Sequence, residues 1–267
     1  MDQSDYLDTN QNVWNQRVTA HFTSEFYDVE GFLNGKTMLN EIELELLGDI
    51  QNKSILHLQC HFGLDSLSLA RMGANVTGVD FSDKAIQQAK ELNELTGENV
   101  CFIQSDIFSL PDHLDQKFDI VFTSYGTIGW LPDLKKWAAV ISFYLNPGGR
   151  FIFAEFHPFV HMLDDEYKKL EFSYFNTKAL MFDEEFTYTG NKLKEKQSYY
   201  WWNHSLEEVI NSLLISGLSL SLFKEYDYSP FNCFPNLKEV SPGKFLFTSF
   251  DNKIPILFSL VAEKPEK

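Results

Sequence analysis

Residues 55–82 read ILHLQCHFGLDSLSLARMGANVTGVDFS, and this stretch decides the fold. The apolar run over residues 54–59 predicts a buried strand, and the longer pattern over Leu64–Met72 predicts a helix that stops at Gly73. A second strand is predicted over Asn75–Val79. Because a strand, a helix and a strand in this order form a right-handed crossover, the stretch indicates a parallel sheet.

The same alternation of strands and helices continues as far as Phe156. Ser82 is predicted to cap the helix that follows the second strand. Another helix is predicted between Leu134 and Tyr144, where apolar residues recur at helical spacing. Further strands are predicted over residues 100–104, 118–123 and 151–156.

The sequence pattern changes after His157. Aromatic and polar residues alternate over residues 167–202, which predicts antiparallel strands joined by a turn near Gly190. Ser205, with Glu208 three residues later, predicts a capped helix. The last two strands are predicted over residues 218–226 and 256–262, separated by a long proline-containing loop.

These elements predict an α/β fold with an open, doubly wound, mostly parallel sheet of seven strands. Helices are expected near residues 6–19 and 37–47, before the sheet begins. The chain is predicted to divide into an N-terminal helical extension or lid (1–50), a Rossmann-like cofactor-binding core (51–156), an aromatic-rich inserted substrate cap (157–202), and the last helix with the closing strands (203–267).

The composition narrows the class of partner. The 267 residues include 22 basic and 38 acidic residues, a net charge of −16, and 15 % are aromatic. Nucleic acids and anionic membrane surfaces are not expected as partners, because both are bound through clusters of lysine and arginine. No apolar run approaches the roughly 20 residues needed to cross a bilayer. Three separated cysteines without a CxxC pair indicate reduced thiols, and the opening residues show no secretory signal, so a cytoplasmic location is expected.

Polar residues follow the first three predicted strands, where the ligand crevice of an open α/β sheet lies. The loop from His57 to Gly63 follows the first strand. Asp80 ends the second strand, a position from which an acid accepts hydrogen bonds from ribose hydroxyls. Asp106 follows the third strand, where a short acid reaches an adenine amine. The ordered set indicates a site for an adenosine-containing ligand.

Four motifs of the chain resemble those of class I S-adenosylmethionine-dependent methyltransferases. The stretch over 55–82 resembles their first motif and acidic second strand. QSDI at 104–107 resembles the third-strand acid, FDIVFTSYG at 118–126 the fourth strand, and LNPGGRFIFAEF at 145–156 the fifth. The resemblance implies S-adenosylmethionine as cofactor, S-adenosylhomocysteine as product, and methyl transfer to a small molecule.

The first motif departs from the family pattern. The usual sequence is acid-x-Gly-x-Gly-x-Gly, and the corresponding residues here are His57, Gln59, His61 and Gly63. Glycine permits a positive φ and a close approach of the backbone to the ligand. Gln59 and His61 must therefore either tolerate that backbone or displace the ligand outward. With His57 in place of the acid, a neutral imidazole or a backbone carbonyl is expected to accept from the methionine ammonium.

The resemblance also implies a set of cofactor-binding residues along the edge of the sheet. Phe81 is expected against the adenine, and Ser82 beside the ribose with Asp80. Tyr27 lies outside the resemblance: the segment from Trp14 to Asp28 either folds over the cofactor, with Tyr27 near its carboxylate, or forms a helix that covers a sheet edge. The full expected set is Tyr27, His57, Gln59, Cys60, His61, Gly63, Asp80, Phe81, Ser82, Asp106, Ile107, Ser124, Tyr125 and Gly126.

Residues on the acceptor side are inferred from their place beyond the fifth strand. His157 is either a general base for the acceptor or a polar edge residue before Pro158, and Tyr125 is its expected catalytic neighbour. Trp130 and His21 are candidate acceptor contacts. Glu155 is expected to be structural.

Metal and thiol chemistry are not expected. His57, Cys60 and His61 straddle a strand end rather than one helix face, and no second cysteine or carboxylate pair completes a tetrahedral set. Cys60 is interpreted as a buried thiol in a tight turn rather than a nucleophile, which needs an adjacent base.

Two alternatives to a methyltransferase stay open. One is a protein that binds S-adenosylmethionine or S-adenosylhomocysteine without transferring a methyl group, because the glycine motif is incomplete. The other is a different adenosine-cofactor enzyme, such as a nicotinamide-dependent one, which the absence of GxGxxG disfavours. The acceptor atom and the choice between monomer and homodimer are left open.

Overall fold

The computed structural model describes residues 3–175 and 178–266. Two residues of the predicted insertion (176 and 177), two of the predicted extension (1 and 2) and the last residue (267) lie outside the described residues. The N-terminal part forms three helices: α1 (Gln3–Phe22), α2 (Val29–Leu33) and α3 (Glu41–Leu47). The short α2, which the sequence reading missed, begins where the Asp28 side chain accepts a hydrogen bond from the Gly31 N–H.

A seven-stranded sheet follows, and it confirms the predicted fold class. Its strands are β1 (Ser54–Leu58), β2 (Asn75–Asp80), β3 (Cys101–Gln104), β4 (Phe118–Ser124), β5 (Leu145–Phe156), β8 (Ser219–Tyr226) and β11 (Leu257–Glu263), in the spatial order β3-β2-β1-β4-β5-β11-β8. The first five are parallel, while β11 runs antiparallel to both β5 and β8. The strand order reverses beside β1, and the ligand crevice of such a sheet lies there.

Helices cover both faces of the sheet, as a doubly wound fold requires. They are α4 (Leu64–Arg71), α5 (Asp83–Thr96), α6 (Leu134–Tyr144) and α7 (Leu206–Ile215). One face packs against α3, α4 and α5 through buried side chains such as Ile55 and Phe122, and the other packs against α6 and α7 through side chains such as Phe151 and Phe153. Much of the high aromatic content is therefore core, since eight phenylalanines are essentially fully buried.

Both predicted N-caps are confirmed. The Ser82 hydroxyl accepts a hydrogen bond from the Ala85 N–H at 3.0 Å, and the Ser205 hydroxyl accepts from the Glu208 N–H at 3.2 Å. Each cap satisfies an N–H that has no partner within its helix. The caps fix where α5 and α7 begin.

Two antiparallel hairpins stand outside the sheet. The predicted one consists of β6 (Leu180–Phe186) and β7 (Lys192–Trp201). It docks on α1, where the buried Asn10 side chain donates to the Tyr200 carbonyl and accepts from the Tyr200 N–H, both at 2.9 Å. The second hairpin, β9 (Leu237–Ser241) with β10 (Lys244–Phe247), lies within the loop that was predicted to have no regular structure.

Candidate functional site

A cavity of about 1100 Å³ opens where β1, β2 and β4 end, between the sheet, α1 and the β6–β7 hairpin. Its floor comes from the loops that follow the parallel strands. Its walls come from aromatic residues of α1, the hairpin and the segment near Phe231. Predicted site residues that line it are Tyr27, His57, Gln59, Cys60, His61, Gly63, Asp80, Phe81, Asp106, Ile107, Ser124, Tyr125, Gly126 and Trp130.

The loop after β1 keeps the left-handed backbone of a glycine-rich loop although only the last of its three glycines, Gly63, is present. The φ angles of Gln59, His61 and Gly63 are 56°, 51° and 80°, all in the left-handed region. This conformation costs a side-chain-bearing residue roughly 1–2 kcal/mol. Of the two outcomes expected from the sequence, the first is found: Gln59 and His61 tolerate the backbone. A Cβ at Gly63 would lie 2.6 Å from the Phe102 ring, so only glycine fits there.

Side-chain contacts hold this strained loop in place. The Gln59 amide donates to the Thr127 carbonyl at 2.9 Å, and the His61 ring is hydrogen-bonded to the His21 ring of α1 at 3.0 Å. Gln59 Oε1 and His61 Nδ1 are buried and have no hydrogen-bond partner among the described residues. The loop therefore presents unfulfilled polar groups within the cavity lining.

Asp80 clamps the loop from the neighbouring strand. One carboxylate oxygen accepts from the His61 N–H at 2.8 Å and the other from the Ser82 N–H at 2.9 Å. Burial raises the pKa of Asp80 to about 6. Ser82 itself does not line the cavity, because its hydroxyl caps α5 and donates to Asn15 of α1 at 2.6 Å.

Asp106 occupies the corresponding place after β3. Its Oδ1 accepts from the N–H groups of Phe108 and Ser109, at 2.8 and 3.1 Å, which turns the chain beneath the cavity. Ile107 is buried beside it, whereas Phe81 is only partly buried. An apolar slot with one acid at its end therefore lies between the loops after β2 and β3.

The loop after β4 is organised by Glu155, which confirms its expected structural role. This buried carboxylate accepts from the N–H groups of Gly126, Thr127, Ile128 and Phe156. These hydrogen bonds fix the conformation of the loop after β4, whose residues Tyr125, Gly126 and Thr127 line the cavity.

Two acids beside this loop were missed by sequence reasoning. Asp65, in the first turn of α4, lines the cavity and lies 3.4 Å from the Ser124 hydroxyl, measured from Oδ2. Glu43, buried in α3, accepts from the Tyr125 hydroxyl at 2.8 Å. Burial, and then the charge of Glu43, raise the pKa of Asp65 to about 7, and burial raises the pKa of Glu43.

Arg17 of α1 ties the aromatic walls together. Its guanidinium lies 4.8 Å from the Trp14 ring centre, 4.7 Å from that of Trp130 and 5.2 Å from that of Tyr199. Two of its nitrogens donate to the Glu184 carboxylate of β6, both at 2.7 Å. The charge of Arg17 is therefore neutralised within the protein.

Tyr27 closes the opposite side of the cavity, and His21 lies behind the lining residues. Tyr27 lines it and shares a short hydrogen bond with Tyr188. His21 is fully buried behind His61 and does not line the cavity, so its predicted contact with an acceptor is not found. Burial lowers the pKa of His21 well below 6.5, which leaves the ring neutral.

The predicted role of His157 is wrong, because its side chain lies on the other face of the sheet. Its Nε2 is 3.0 Å from Glu225 Oε1 of β8, its Nδ1 accepts from the Phe159 N–H at 3.1 Å, and its ring packs near Phe258. Side chains along a strand alternate between the two faces of the sheet, so His157 lies on the same face as Glu155 and Phe153 of β5. His161, four residues later, lines the cavity instead.

Replacing His157 with glutamine is therefore expected to leave turnover within about threefold of the unmodified protein. The lost contact with Glu225 costs at most about 1 kcal/mol of stability, since that acid is half exposed. Steady-state kinetics and urea unfolding measure the two effects. A loss of turnover above tenfold with unchanged stability would restore His157 to the acceptor site.

Within residues 3–175 and 178–266, no group of three or more His, Cys, Asp or Glu side chains is placed to hold a metal ion. No helix there is both long and apolar enough to cross a bilayer.

The strand order, the loop clamped after β1 and the acids after β2 and β3 define a class I methyltransferase-like fold. The chain belongs to the methyltransferase domain family, which matches residues 50–208. It is 29 % identical over 150 residues to a ubiquinone biosynthesis O-methyltransferase of Serratia proteamaculans, covering 54 % of this chain and 62 % of that protein. The chain thus aligns with less than two thirds of the length of this curated relative.

Solved structures show the same fold. A putative S-adenosylmethionine-dependent methyltransferase from Listeria monocytogenes superposes with a TM-score of 0.57 at 21 % identity, over 84 % of this chain and 97 % of that one. DhpI, solved in complex with S-adenosylhomocysteine (SAH), superposes over the full length of both chains with a TM-score of 0.57 at 18 % identity.

Proposed function

We propose that this protein transfers a methyl group from S-adenosylmethionine to a small-molecule acceptor. The observation that carries the proposal is the left-handed loop from Gln59 to Gly63, clamped by Asp80 at the switch point of the sheet. Such a loop presents backbone to a ligand at close range, which a glycine-rich loop does in related folds.

The residues present fit this cofactor. The slot formed by Phe81, Asp106 and Ile107 suits an adenine ring, and Asp80 is within reach of the ribose that would adjoin it. The volume of about 1100 Å³ exceeds the 300–1000 Å³ typical of a site for one small ligand, so an acceptor has room beside the cofactor. The buried, unpaired Gln59 Oε1 is an acceptor that a polar ligand would satisfy.

In this mechanism the protein positions the cofactor and the acceptor and excludes water from them. S-adenosylmethionine contributes an electrophilic methyl group when bound. The aromatic walls hold the acceptor in line and exclude water, and such alignment contributes most of the rate. Burial lowers the pKa of His61 to about 3 and that of His161 to about 4, so both rings stay neutral near pH 7. Of these two residues, His161 belongs to the insertion (157–202), on the side of the cavity where the acceptor is proposed to bind. Its imidazole can accept a hydrogen bond from a hydroxyl of the acceptor.

The walls favour an uncharged, ring-containing acceptor. Tyr167, Phe172, Phe182 and Trp201 present aromatic surface, and Arg17 is neutralised by Glu184. A carboxylate or phosphate on the acceptor would therefore meet no available cation among the described lining residues. The relative is named as an O-methyltransferase, and a neutral acceptor that carries its hydroxyl on an aromatic ring fits this surface. A cytoplasmic location, and no role for nucleic acid, remain parts of the proposal that rest on composition.

The β6–β7 hairpin is proposed as the cap, with Arg17 and Glu184 as its latch. Their side chains are only 4 % and 12 % exposed, so removing one leaves a buried, unpaired charge. Replacing Arg17 with methionine is expected to cost about 3 kcal/mol of unfolding free energy. Adding Glu184→Gln should restore at least about 1 kcal/mol of that loss, measured by urea unfolding as a double-mutant cycle.

A matched control is the exposed pair Lys253–Asp251, whose side chains are 75 % and 80 % exposed. Lys253→Met is expected to cost less than about 0.5 kcal/mol. Additive effects of Arg17→Met and Glu184→Gln would contradict the latch.

Transfer itself is tested with methyl-labelled S-adenosylmethionine and a panel of neutral phenols, benzoates and amines. The proposal predicts labelled product and SAH from at least one neutral phenol, with benzoates much poorer. Tight binding of SAH with no transfer to any acceptor class would instead favour a cofactor-binding protein without transfer activity.

A further inference from the structure

We infer that Asp65, backed by Glu43, forms the site for the α-ammonium group of the cofactor. The inference rests on the proposed function and fills the role left open by His57 in the first motif. A primary ammonium presents three N–H donors and one positive charge, so its site needs acceptor oxygens and negative charge.

The position of Asp65 suits a site for the amino-acid end of the cofactor. Asp65 lies two residues after Gly63, at the start of α4, with its carboxylate in the cavity lining. Its Oδ2 is 3.4 Å from the Ser124 hydroxyl, so it joins the start of α4, just after the β1 loop, to the end of β4. The amino-acid end of the cofactor belongs between these loops if the adenosine end occupies the slot near Asp106.

Asp65 and Glu43 also place negative charge at this position. Neither Asp65 nor Glu43 forms an ion pair in the part of the chain that the structure describes. Arg17, the one lysine or arginine among the described lining residues, is bound to Glu184. Two acids without a counter-ion are costly in a buried place, because each charged form loses its hydration. An arriving ammonium removes that cost.

An unpaired acceptor in the loop points the same way independently. Gln59 Oε1 is buried without a donor, although the other end of the same amide is bonded to Thr127. His57 does not supply the negative charge of the family's acid, because an imidazole that has lost its proton is neutral; burial lowers its pKa to about 3, and its Nδ1 is hydrogen-bonded to the Ser66 hydroxyl at 2.8 Å. The neutral ring offers no negative charge.

Calorimetric titration with two ligands tests the inference. SAH carries the ammonium, and its deaminated analogue lacks only that group. At pH 8, Asp65→Asn is expected to weaken SAH at least 30-fold and the analogue less than threefold. Asp165→Asn, a change to another cavity-lining acid on the insertion, should leave both affinities within twofold.

Each failure has a distinct meaning. If the unmodified protein does not bind SAH, the proposed function is contradicted and the inference falls with it. If it binds SAH but Asp65→Asn binds equally well, or loses both ligands equally, only the ammonium site is wrong. If Asp65→Asn weakens an amine acceptor while leaving SAH unchanged, the ammonium belongs to the acceptor and the inference is also overturned.

The thermal stability of the ligand-free protein is a second measurement that tests the role of Asp65. The groups that face Asp65 are Glu43 of α3, Tyr27 beyond α1, Cys60 of the β1 loop, Ser124 at the end of β4 and Tyr125 just after it; none is cationic.

The pKa of Asp65 in the folded protein is about 7, above the ordinary value of 3.8. The folded protein therefore loses stability relative to the unfolded chain as the pH rises from 3.8 to about 7. Asp65→Asn is therefore expected to raise the Tm of the ligand-free protein at pH 8, with a smaller rise at pH 5. A lower Tm at pH 8 would indicate a merely structural role and contradict the inference.

Discussion

Replacing Asp80 with alanine is expected to weaken SAH binding at least 100-fold, which corresponds to about 3 kcal/mol. The Asp80 carboxylate accepts from the His61 and Ser82 N–H groups and is proposed to accept from the ribose hydroxyls as well. Hydrogen bonds to a charged group are worth about 1.5–3 kcal/mol each. Removing the carboxylate therefore releases the strained loop and the ligand together.

Calorimetry measures this loss, with Asp115→Ala as a control at an exposed acid remote from the cavity lining. Circular dichroism should show that the fold survives, because Asp80 ends a strand rather than filling the core. An affinity for SAH within threefold of the unmodified protein would show that the ribose is held elsewhere.

Replacing Glu155 with alanine is expected to have the largest effect on stability. The change leaves the N–H groups of Gly126, Thr127, Ile128 and Phe156 without their acceptor in a buried place. Each unsatisfied buried group costs about 1–3 kcal/mol, so a loss of about 4 kcal/mol or more is expected. That is a large fraction of the 5–15 kcal/mol that stabilises an ordinary domain.

Chemical denaturation measures this change, with Glu155→Gln as the matched variant. Glutamine keeps the shape and one acceptor oxygen, so its loss should be clearly smaller than that of alanine. A cost below about 1 kcal/mol for Glu155→Ala would mean that water or the relaxed loop replaces the carboxylate.

The sheet could be predicted because its signals are local. Gly73 ends α4 and Ser82 begins α5 through contacts within a few residues, and the apolar period distinguishes helices from strands. The helix α2 and the hairpin of β9 and β10 were missed because each element is only four or five residues long. Such short elements depend on what they pack against rather than on their own pattern.

The same difference between local signals and contacts with distant parts of the chain decides which site residues could be predicted. The places of Asp80, Gln59 and His61 in the cavity could be predicted because these residues stand at or just after the ends of β1 and β2, although the sequence left open whether Gln59 and His61 tolerate the backbone or displace the ligand. Glu43 and Glu184 could not be predicted, because their partners Tyr125 and Arg17 are 82 and 167 residues away. His157 was assigned by its distance from the end of a strand without regard to the face of the sheet, and alternation along β5 indicates the opposite face.

The most direct test of the account is a titration of the purified, unmodified protein with SAH, S-adenosylmethionine and NAD. The proposed site predicts one molecule of either adenosyl ligand per chain. It also predicts that Asp80→Ala removes this binding and that NAD is bound weakly or not at all. Tight binding of NAD with no binding of SAH or S-adenosylmethionine would contradict the assignment of the cavity and every role proposed within it.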